Sequence, residues 1–317
     1  MYALIDAGFS VVVLDDLSTG HAELLPKDEP LVVGSVDDAK TVSALLKTHN
    51  VTDVMHFAGS TIVPESFSNP DKYFQNNTAA TETLARCCLD AGVQTFIFSS
   101  TAAVYAEPDA DLVTEESRLL PPSPYGESKL RAEHIIREIT ADCEMRFGIL
   151  RYFNVAGADP MGRTGQIADN ATHLIKSACE AALGLRDRFV IFGDDYDTPD
   201  GTCIRDFIHV SDLADAHVSM LQYLMGGGVS TTLNCGYGQG FSVKQVADTI
   251  RAEIGHDYNV DVGPRRSGDA MRVVADTSKI RKALDWNPVH DDLSVIIRTT
   301  LNWERTSQNR STDTTHG

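Results

Sequence analysis

The apolar residues of the chain fall into short continuous runs, separated by segments with helical periodicity. The runs that are typical of buried strands are VVVLDD, LVVG, DVMHFAG, TFIFSS and FGILRYFN. Parallel strands require crossover connections, which helices supply, so this alternation predicts an α/β protein. We expect a doubly wound, Rossmann-like parallel sheet whose ligands bind at the carboxyl ends of its strands.

The beginning of the chain has the pattern of the second half of a dinucleotide-binding βαβ unit. Residues 1–8 match the last turns of a helix that ends at Gly8, and residues 11–14 form a buried strand followed by Asp15. In such a unit the acid accepts hydrogen bonds from a ribose, and a strand with a glycine-rich turn comes first. This sequence has neither the strand nor the glycine-rich turn. The alternative is that VVVLDD is an ordinary buried strand followed by a solvated turn.

The texture of the sequence changes after Asn154, where glycine-rich polar stretches such as GADPMGRTGQ begin. We therefore predict a Rossmann-like domain over residues 1–155 and a smaller, mixed substrate-binding lobe over residues 156–305. The amphipathic pattern of residues 207–226 predicts a helix that rejoins the first domain. The closing residues 306–317 are polar and are expected to form a flexible tail.

Charge and cysteine content restrict the partners. The formal net charge is −18, which argues against a nucleic acid or an anionic membrane as partner. The six cysteines show no C-x-x-C pair and no metal-ligand spacing, so we expect no metal site. Without a signal-peptide pattern or a long apolar run, they are expected to be reduced thiols of a cytoplasmic protein.

The segments FSSTAAVY and SPYGESK carry the candidate chemistry. Tyr125 and Lys129 are four residues apart, so a helix would place them on one face. A free phenol has a pKa of about 10, but a nearby ammonium favours the phenolate and makes the tyrosine a usable base. Thr101 follows a buried strand and could hold the same substrate oxygen. By chance alone such a tyrosine–lysine pair is expected in roughly one chain in four of this length, and Thr101 could merely cap local backbone.

Taken together, the motifs resemble the UDP-glucose 4-epimerase family of the extended short-chain dehydrogenase/reductase superfamily, from residue 1 to about residue 305. The markers, in order, are LDDLSTGH, HFAGS, VPES, NN, FSSTAAVY, SPYGESKL, LRYFNVAGADP, ATHLIK, IFGDDYDTPDGTCIRDFIHVSDLADAH, NCGYG and PRRSGD. The resemblance implies NAD-dependent epimerisation at C4 of a UDP-hexose (UDP-glucose or UDP-galactose) through a 4-keto intermediate. It also implies a homodimer that serves galactose metabolism or polysaccharide precursor supply.

The resemblance further implies roles for individual residues of this sequence. The catalytic residues would be Thr101, Tyr125 and Lys129. The residues that bind NAD would be Asp15, Phe57, Ala58, Gly59, Asn76, Asn77, Ser99, Tyr125, Lys129 and Tyr152. The residues that bind the nucleotide sugar would be Thr101, Asn154, His173, Leu174, Arg205, Arg266, Asp269 and Val273. In the family, the position of Val273 lies beside the hexose and acts as a size gate.

The sequence departs from the family pattern in ways that leave two alternatives open. The first strand and its G-x-x-G-x-x-G turn are missing, so we expect this chain to bind NAD weakly. One alternative is therefore a non-catalytic remnant that binds nucleotide sugar weakly. The other is another nucleotide-sugar epimerase or a dehydratase of the same superfamily. A dehydratase needs further acid–base groups, and related enzymes carry acids where Ala102 and Ala103 stand here.

Overall fold

The structure is a computed structural model that describes residues 1–106, 110–168, 172–266 and 268–313. The strands are β1 (Val13–Asp15), β2 (Leu31–Val33), β3 (Asp53–His56), β4 (Thr95–Thr101), β5 (Arg146–Tyr152), β6 (Asn154–Ala156), β7 (Phe189–Phe192), β8 (Ile204–His209), β9 (Thr231–Cys235), β10 (Gly240–Ser242), β11 (Val260–Gly263) and β12 (Arg272–Val273). The α-helices are α1 (Tyr2–Asp6), α2 (Ala39–Thr48), α3 (Val63–Ser68), α4 (Pro70–Tyr73), α5 (Ala80–Asp90), α6 (Pro124–Thr140), α7 (Leu174–Ala182), α8 (Val210–Met225), α9 (Val243–Ile254), α10 (Ser278–Leu284) and α11 (Leu293–Asp313). Within the described ranges, no helix is long and apolar enough to cross a membrane.

The strands of the first half form parallel sheets. One sheet has the order β3-β4-β5-β9, with every pair parallel, and β1 pairs with β2 in a separate parallel sheet. Among the described strands, β1 hydrogen-bonds to β2 alone and β3 to β4 alone, so these strands belong to two separate sheets. Helices join consecutive parallel strands, as crossover connections require. The predicted Rossmann-like α/β fold is confirmed.

Strand β4 is the centre of the hydrophobic core, and all seven of its residues are buried. Its side chains alternate between two apolar clusters. Phe96 and Phe98 pack into the cluster formed with α2, α5 and α6, whereas Ile97 packs into the cluster formed with α8. Burial on both faces explains why TFIFSS reads as a continuous apolar run and not as an alternating one.

The second half of the chain builds smaller sheets beside the first. Strand β8 pairs with β10, β12 and β6, and β7 pairs with β11. Helices α7, α9 and α11 pack against one another beside these strands. Helix α8 packs on β4 and β5 of the larger sheet. The division into domains at the residue numbers given above stays a prediction.

Element boundaries differ from the expected ones at both ends of the chain. Strand β1 covers Val13–Asp15 and includes the acid, whereas residues 11–14 were expected. Helix α11 continues to Asp313, so residues 306–313 are helical where a flexible tail was expected. The buried stem of α11, with Ile296, Ile297 and Leu301, anchors the helix in the core, and a polar continuation can extend an anchored helix. Residues 314–317 lie outside the described residues.

Buried neutral histidines are expected to make the protein sensitive to acid. Burial lowers the pKa of His56 to about 3, and the pKa values of His209 and His217 to about 4. Between pH 6.5 and 4 the unfolded chain binds protons at these sites and the folded chain does not. The free energy of unfolding should therefore fall as the pH falls, by about 1 kcal/mol per pH unit for each histidine.

Urea unfolding at several pH values between 7 and 4.5 measures this dependence. The substitution His56→Gln should reduce the slope by about 1 kcal/mol per pH unit. The same substitution at an exposed histidine, His256→Gln, is the control. Equal slopes in the parent and His56→Gln proteins would contradict the assignment of His56 as a neutral buried group.

Candidate active site

Helix α6 carries the two central side chains on one buried face. The helix begins at Pro124, and the Ser123 hydroxyl caps it by accepting a hydrogen bond from the backbone N–H of Gly126 at 3.2 Å. The side chains of Tyr125 and Lys129 follow one turn apart and are only 5% and 3% exposed. A Cβ atom on Gly126 would lie 2.2 Å from the carbonyl oxygen of Ala103. Glycine thus lets α6 approach the turn after β4 closely, which brings Tyr125 to the end of that strand.

The Lys129 ammonium lies at the carboxyl end of β4. Its Nζ donates a hydrogen bond to the Ser99 carbonyl oxygen at 2.9 Å and lies 4.5 Å from the centroid of the Phe98 ring. Burial lowers the pKa of Lys129 to about 8. The group is therefore mostly charged at neutral pH and titrates within a range where enzymes work.

The phenol of Tyr125 lies among hydroxyl groups. The Thr101 side chain lies beside it and lowers its pKa, and the Tyr152 phenol, which lies beside the Ser99 side chain, is a further neighbour. Burial raises the pKa of Tyr125 well above its ordinary value. The Thr101 hydroxyl also accepts a hydrogen bond from the Ala103 backbone N–H at 3.1 Å, so it does cap the local turn. Thr101, Tyr125 and Lys129 thus come together in one cluster, as the sequence predicts.

The predicted cofactor residues lie at the carboxyl ends of β1 and β3. Asp15 accepts a hydrogen bond from the Leu17 backbone N–H at 2.8 Å, and a Cβ atom on Gly20 would lie 2.7 Å from its carboxylate. After β3 come Phe57, which is 55% exposed, Ala58 and Gly59. Gly59 has φ +152°, a backbone conformation that favours glycine. A strand-end acid, an open glycine backbone and a buried ammonium are features that fit NAD.

The structure distinguishes the two candidate asparagines. Both lie in a π-helix (Phe74–Ala79), which separates α4 from α5. Asn77 is buried: its Oδ1 accepts from the Ser60 backbone N–H at 2.7 Å, and its Nδ2 donates to Ser128 Oγ at 3.0 Å. Asn76 is exposed and donates to Ser60 Oγ at 3.0 Å. Asn77 therefore links the loop after β3 to helix α6, and Asn76 faces outward.

Part of the predicted substrate set gathers around β8. Arg205 on β8 forms an ion pair with Asp269 at 2.5 Å, and the β8–β12 register places Val273 opposite Arg205. The β6–β8 register places the exposed Asn154 opposite Phe207. The guanidinium of the exposed Arg266 lies 3.8 Å from the Phe192 ring centroid.

The remaining predicted substrate residues mark the start of α7. His173 is its N-terminal flanking residue, with Nδ1 2.8 Å from Nε2 of Gln166, and Leu174 is its first residue. Burial lowers the pKa of His173. The roles of all these residues, and the weak binding of NAD, stay predictions.

The sequence analysis did not identify a buried ion pair that lies next to the cluster of Thr101, Tyr125 and Lys129. Glu133 and Arg151 are 0% and 3% exposed and lie 2.6 Å apart. One signal was available, because Glu133 follows Lys129 by four residues, as Lys129 follows Tyr125. The spacing of residues along the chain could not show that Arg151, on strand β5, is the partner of Glu133.

The parallel sheet and the strand-end cluster define a Rossmann-type enzyme that acts with a dinucleotide. A family model described as the NAD dependent epimerase/dehydratase family matches residues 1–236, and the chain belongs to this family. A UDP-glucose 4-epimerase of Azospirillum brasilense is 51% identical over 96% of this chain and 88% of its own. The resemblance inferred from the motifs is confirmed.

Solved structures give the same result. The structure of a UDP-glucose 4-epimerase from Brucella ovis in complex with NAD matches with a TM-score of 0.92 and 38% identity, over 95% of this chain and 92% of that chain. The UDP-Glc/GlcNAc 4-epimerase of Campylobacter jejuni matches with a TM-score of 0.83 and 44% identity, over 96% of this chain and 94% of that chain.

Proposed function

We propose that the protein is an isomerase that inverts C4 of UDP-hexoses with NAD as its cofactor, interconverting UDP-glucose and UDP-galactose. The observation that carries this proposal is the buried cluster of Thr101, Tyr125 and Lys129 at the end of β4. The cluster stands in a chain that is 51% identical to a UDP-glucose 4-epimerase. Identity at this level over nearly the whole chain supports the same reaction.

The chemistry of the substrate explains why a cofactor and a proton-transfer group are both needed. C4 of a hexose bears no acidic proton, so direct deprotonation cannot invert it. When bound, NAD would supply a reversible acceptor for the hydride of C4, and C4 would be inverted because the 4-keto sugar turns before the hydride returns to its other face. Tyr125 as phenolate takes the proton of the C4 hydroxyl, holds it and returns it to the same oxygen. The Thr101 hydroxyl orients that oxygen. The Lys129 ammonium, together with the positively charged nicotinamide ring when NAD is bound, would offset the burial that raises the pKa of Tyr125 and so stabilise the phenolate.

The other assignments follow the position of each group. Asp15 would hold ribose hydroxyls, and the backbone of residues 57–59 would lie along the cofactor. Arg205 and Arg266 carry planar guanidinium groups, which suit the oxygens of the substrate pyrophosphate. Asp269 orients Arg205 through their ion pair. Asn154, His173 and Leu174 would complete the nucleotide-sugar site.

A direct assay tests the reaction. The protein is incubated with UDP-glucose and added NAD, and UDP-galactose is quantified by proton NMR. Formation of UDP-galactose to a constant ratio from either direction is the expected result. A non-catalytic remnant would bind UDP-glucose in calorimetry without forming product, and a dehydratase would form a deoxy keto-sugar. Either result would overturn the proposal.

The sugar range should depend on Val273, which lies opposite Arg205. Since valine is small, we expect turnover of UDP-N-acetylglucosamine alongside UDP-glucose. The substitution Val273→Tyr should reduce turnover of the N-acetyl sugar by about tenfold or more while UDP-glucose is still converted. The substitution Val262→Tyr, at an exposed position on β11, is the matched control and should leave both rates unchanged. A parent that rejects the N-acetyl sugar, or a Val273→Tyr protein that still accepts it, would exclude Val273 as the gate.

We also propose a homodimer located in the cytoplasm. The family resemblance supports the dimer. The six cysteines are free, and five of them are buried, which supports a reducing compartment. The net charge of −18 suits a protein whose ligands are small molecules bound by local arginines.

A further inference from the structure

The buried face of α6 continues beyond the two proposed catalytic side chains. Tyr125, Lys129 and Glu133 follow one another at intervals of four residues, so they lie along one side of the helix. Glu133 is fully buried. A carboxylate removed from water is costly unless charged partners compensate it. Its partners therefore determine what the group does.

Glu133 is held by donors from two strands. Arg151 on β5 donates to both carboxylate oxygens, from Nε at 2.9 Å and from Nη2 at 2.6 Å. Ser100 on β4 donates from Oγ at 2.6 Å, and Arg137 on α6 lies 3.5 Å away. Arg151 is itself fixed, because its Nη1 donates to the Tyr105 hydroxyl at 3.0 Å. Charge-assisted, bidentate bonds of this kind hold a carboxylate in one orientation.

The hydrogen bond from Ser100 connects Glu133 to the cluster of Thr101, Tyr125 and Lys129. Ser100 is the middle residue of the triplet that ends β4. The carbonyl oxygen of its neighbour Ser99 accepts the hydrogen bond from Lys129, and the side chain of its other neighbour, Thr101, lies beside the Tyr125 phenol. By holding Ser100 against α6, Glu133 fixes both of these contacts at once.

Charge is the second connection between Glu133 and the cluster. Burial lowers the pKa of Lys129, and the negative charge of Glu133 raises it again. Among the described residues, the other titratable groups around Lys129 do not supply a negative charge. On β3, burial keeps His56 neutral, and burial raises the pKa of Tyr152 on β5 and of the phenol on α6. Arg151 is engaged with Glu133 itself.

We propose that Glu133 is a positioning residue for the epimerase reaction: held by Arg151 and Ser100, it places a negative charge one helical turn from Lys129 and fixes the end of β4 against α6. The inference rests on the roles proposed above for Tyr125 and Lys129. Glu133 acts through Lys129 and Ser100 and does not touch the substrate.

The test measures the titration of Lys129 directly, in the full chain without cofactor. Lysine labelled with ¹³C at Cε is followed by NMR from pH 6 to 11, and the Lys129 signal is assigned by its loss in Lys129→Met. Removing Glu133 alone would leave Arg151 buried and unpaired, so the test variant is Glu133→Gln with Arg151→Met. The matched control is Glu127→Gln with Arg131→Met, which removes a partly exposed ion pair of the same helix.

In the inner double variant (Glu133→Gln with Arg151→Met), the titration midpoint of Lys129 should lie about one pH unit lower than in the parent. In the outer double variant (Glu127→Gln with Arg131→Met), the midpoint of Lys129 should equal that of the parent. A Lys129 midpoint unchanged in the inner variant would overturn the proposal. Failure of the proposed catalytic roles would appear instead as activity retained in Tyr125→Phe, which leaves this titration unaffected.

If the inner double variant does not fold, Ser100→Ala tests the contact between Glu133 and the end of β4 separately. It keeps every charge and removes one hydrogen bond to Glu133. The expected result is a kcat about tenfold lower with an unchanged KM for UDP-glucose. An unchanged kcat would overturn the proposal, because a merely structural contact would affect stability alone.

Discussion

Replacing Tyr125 by phenylalanine is expected to reduce turnover of UDP-glucose about a thousandfold while leaving its binding nearly intact. The substitution removes only the hydroxyl that lies beside the Thr101 side chain. The ring remains, with its edge-to-face contact to Tyr73 at 6.3 Å between centroids. Because the lost group moves a proton in the transition state, kcat should fall and the dissociation constant should not change. Initial rates with saturating NAD measure the first quantity, and calorimetry with UDP-glucose measures the second.

Tyr73→Phe provides the matched control. It is the same chemical change in the neighbouring ring, but the Tyr73 hydroxyl donates to the Ile62 carbonyl oxygen at 2.6 Å and lies 2.8 Å from Glu65. The control should lose about 1 kcal/mol of stability and keep kcat within about threefold of the parent. If Tyr125→Phe retained turnover close to the parent value, the acid–base group would have to be another residue.

Replacing Lys129 by methionine is expected to displace the pH dependence of activity toward alkali. Without the ammonium, the phenol of Tyr125 loses the cation that favours its ionised form, so its pKa rises. A base is active when deprotonated, so kcat/KM rises with pH through that pKa. The ascending limb should move upward by about one pH unit or more. In the parent, activity should also decline above about pH 8, where Lys129 loses its charge, and the variant should lack this decline.

Profiles of kcat/KM from pH 5.5 to 10 test both statements. Lys47→Met, which removes an exposed ammonium on α2, should reproduce the parent profile. Identical profiles for Lys129→Met and the parent would show that Lys129 does not tune the phenol.

The sequence predicts those features of the site that depend on local geometry. The spacing of Tyr125 and Lys129 places them on one helical face whatever the surroundings. Thr101 could be located because a buried strand ends there. The contact of α6 with the end of β4 is long-range, yet the family motifs imply it.

Other features depend on pairings that no spacing reveals. The Glu133–Arg151 ion pair exists because β5 lies beside β4 in the sheet. The run FGILRYFN, which contains β5, does not show which strand lies next to it. The π-helix bonds each residue to the fifth before it, which shifts the helical phase. Therefore the burial of Asn77 and the exposure of Asn76 could not be read from a 3.6-residue period. The helical end of α11 similarly reflects packing of its stem and not its own polar composition.

The pairing of β5 with β9 has a consequence for the order of events during synthesis. Strand β5 is complete at Tyr152, but its partner begins only at Thr231. At about 5–20 residues per second, the ribosome needs roughly 4–16 seconds to make the intervening chain. During that interval the edge of β5 offers unpaired backbone groups to any other strand, including that of a neighbouring nascent chain. The sheet can be completed only after β9 has been synthesised. The yield of folded protein should therefore depend on how well chaperones cover the edge of β5 until then.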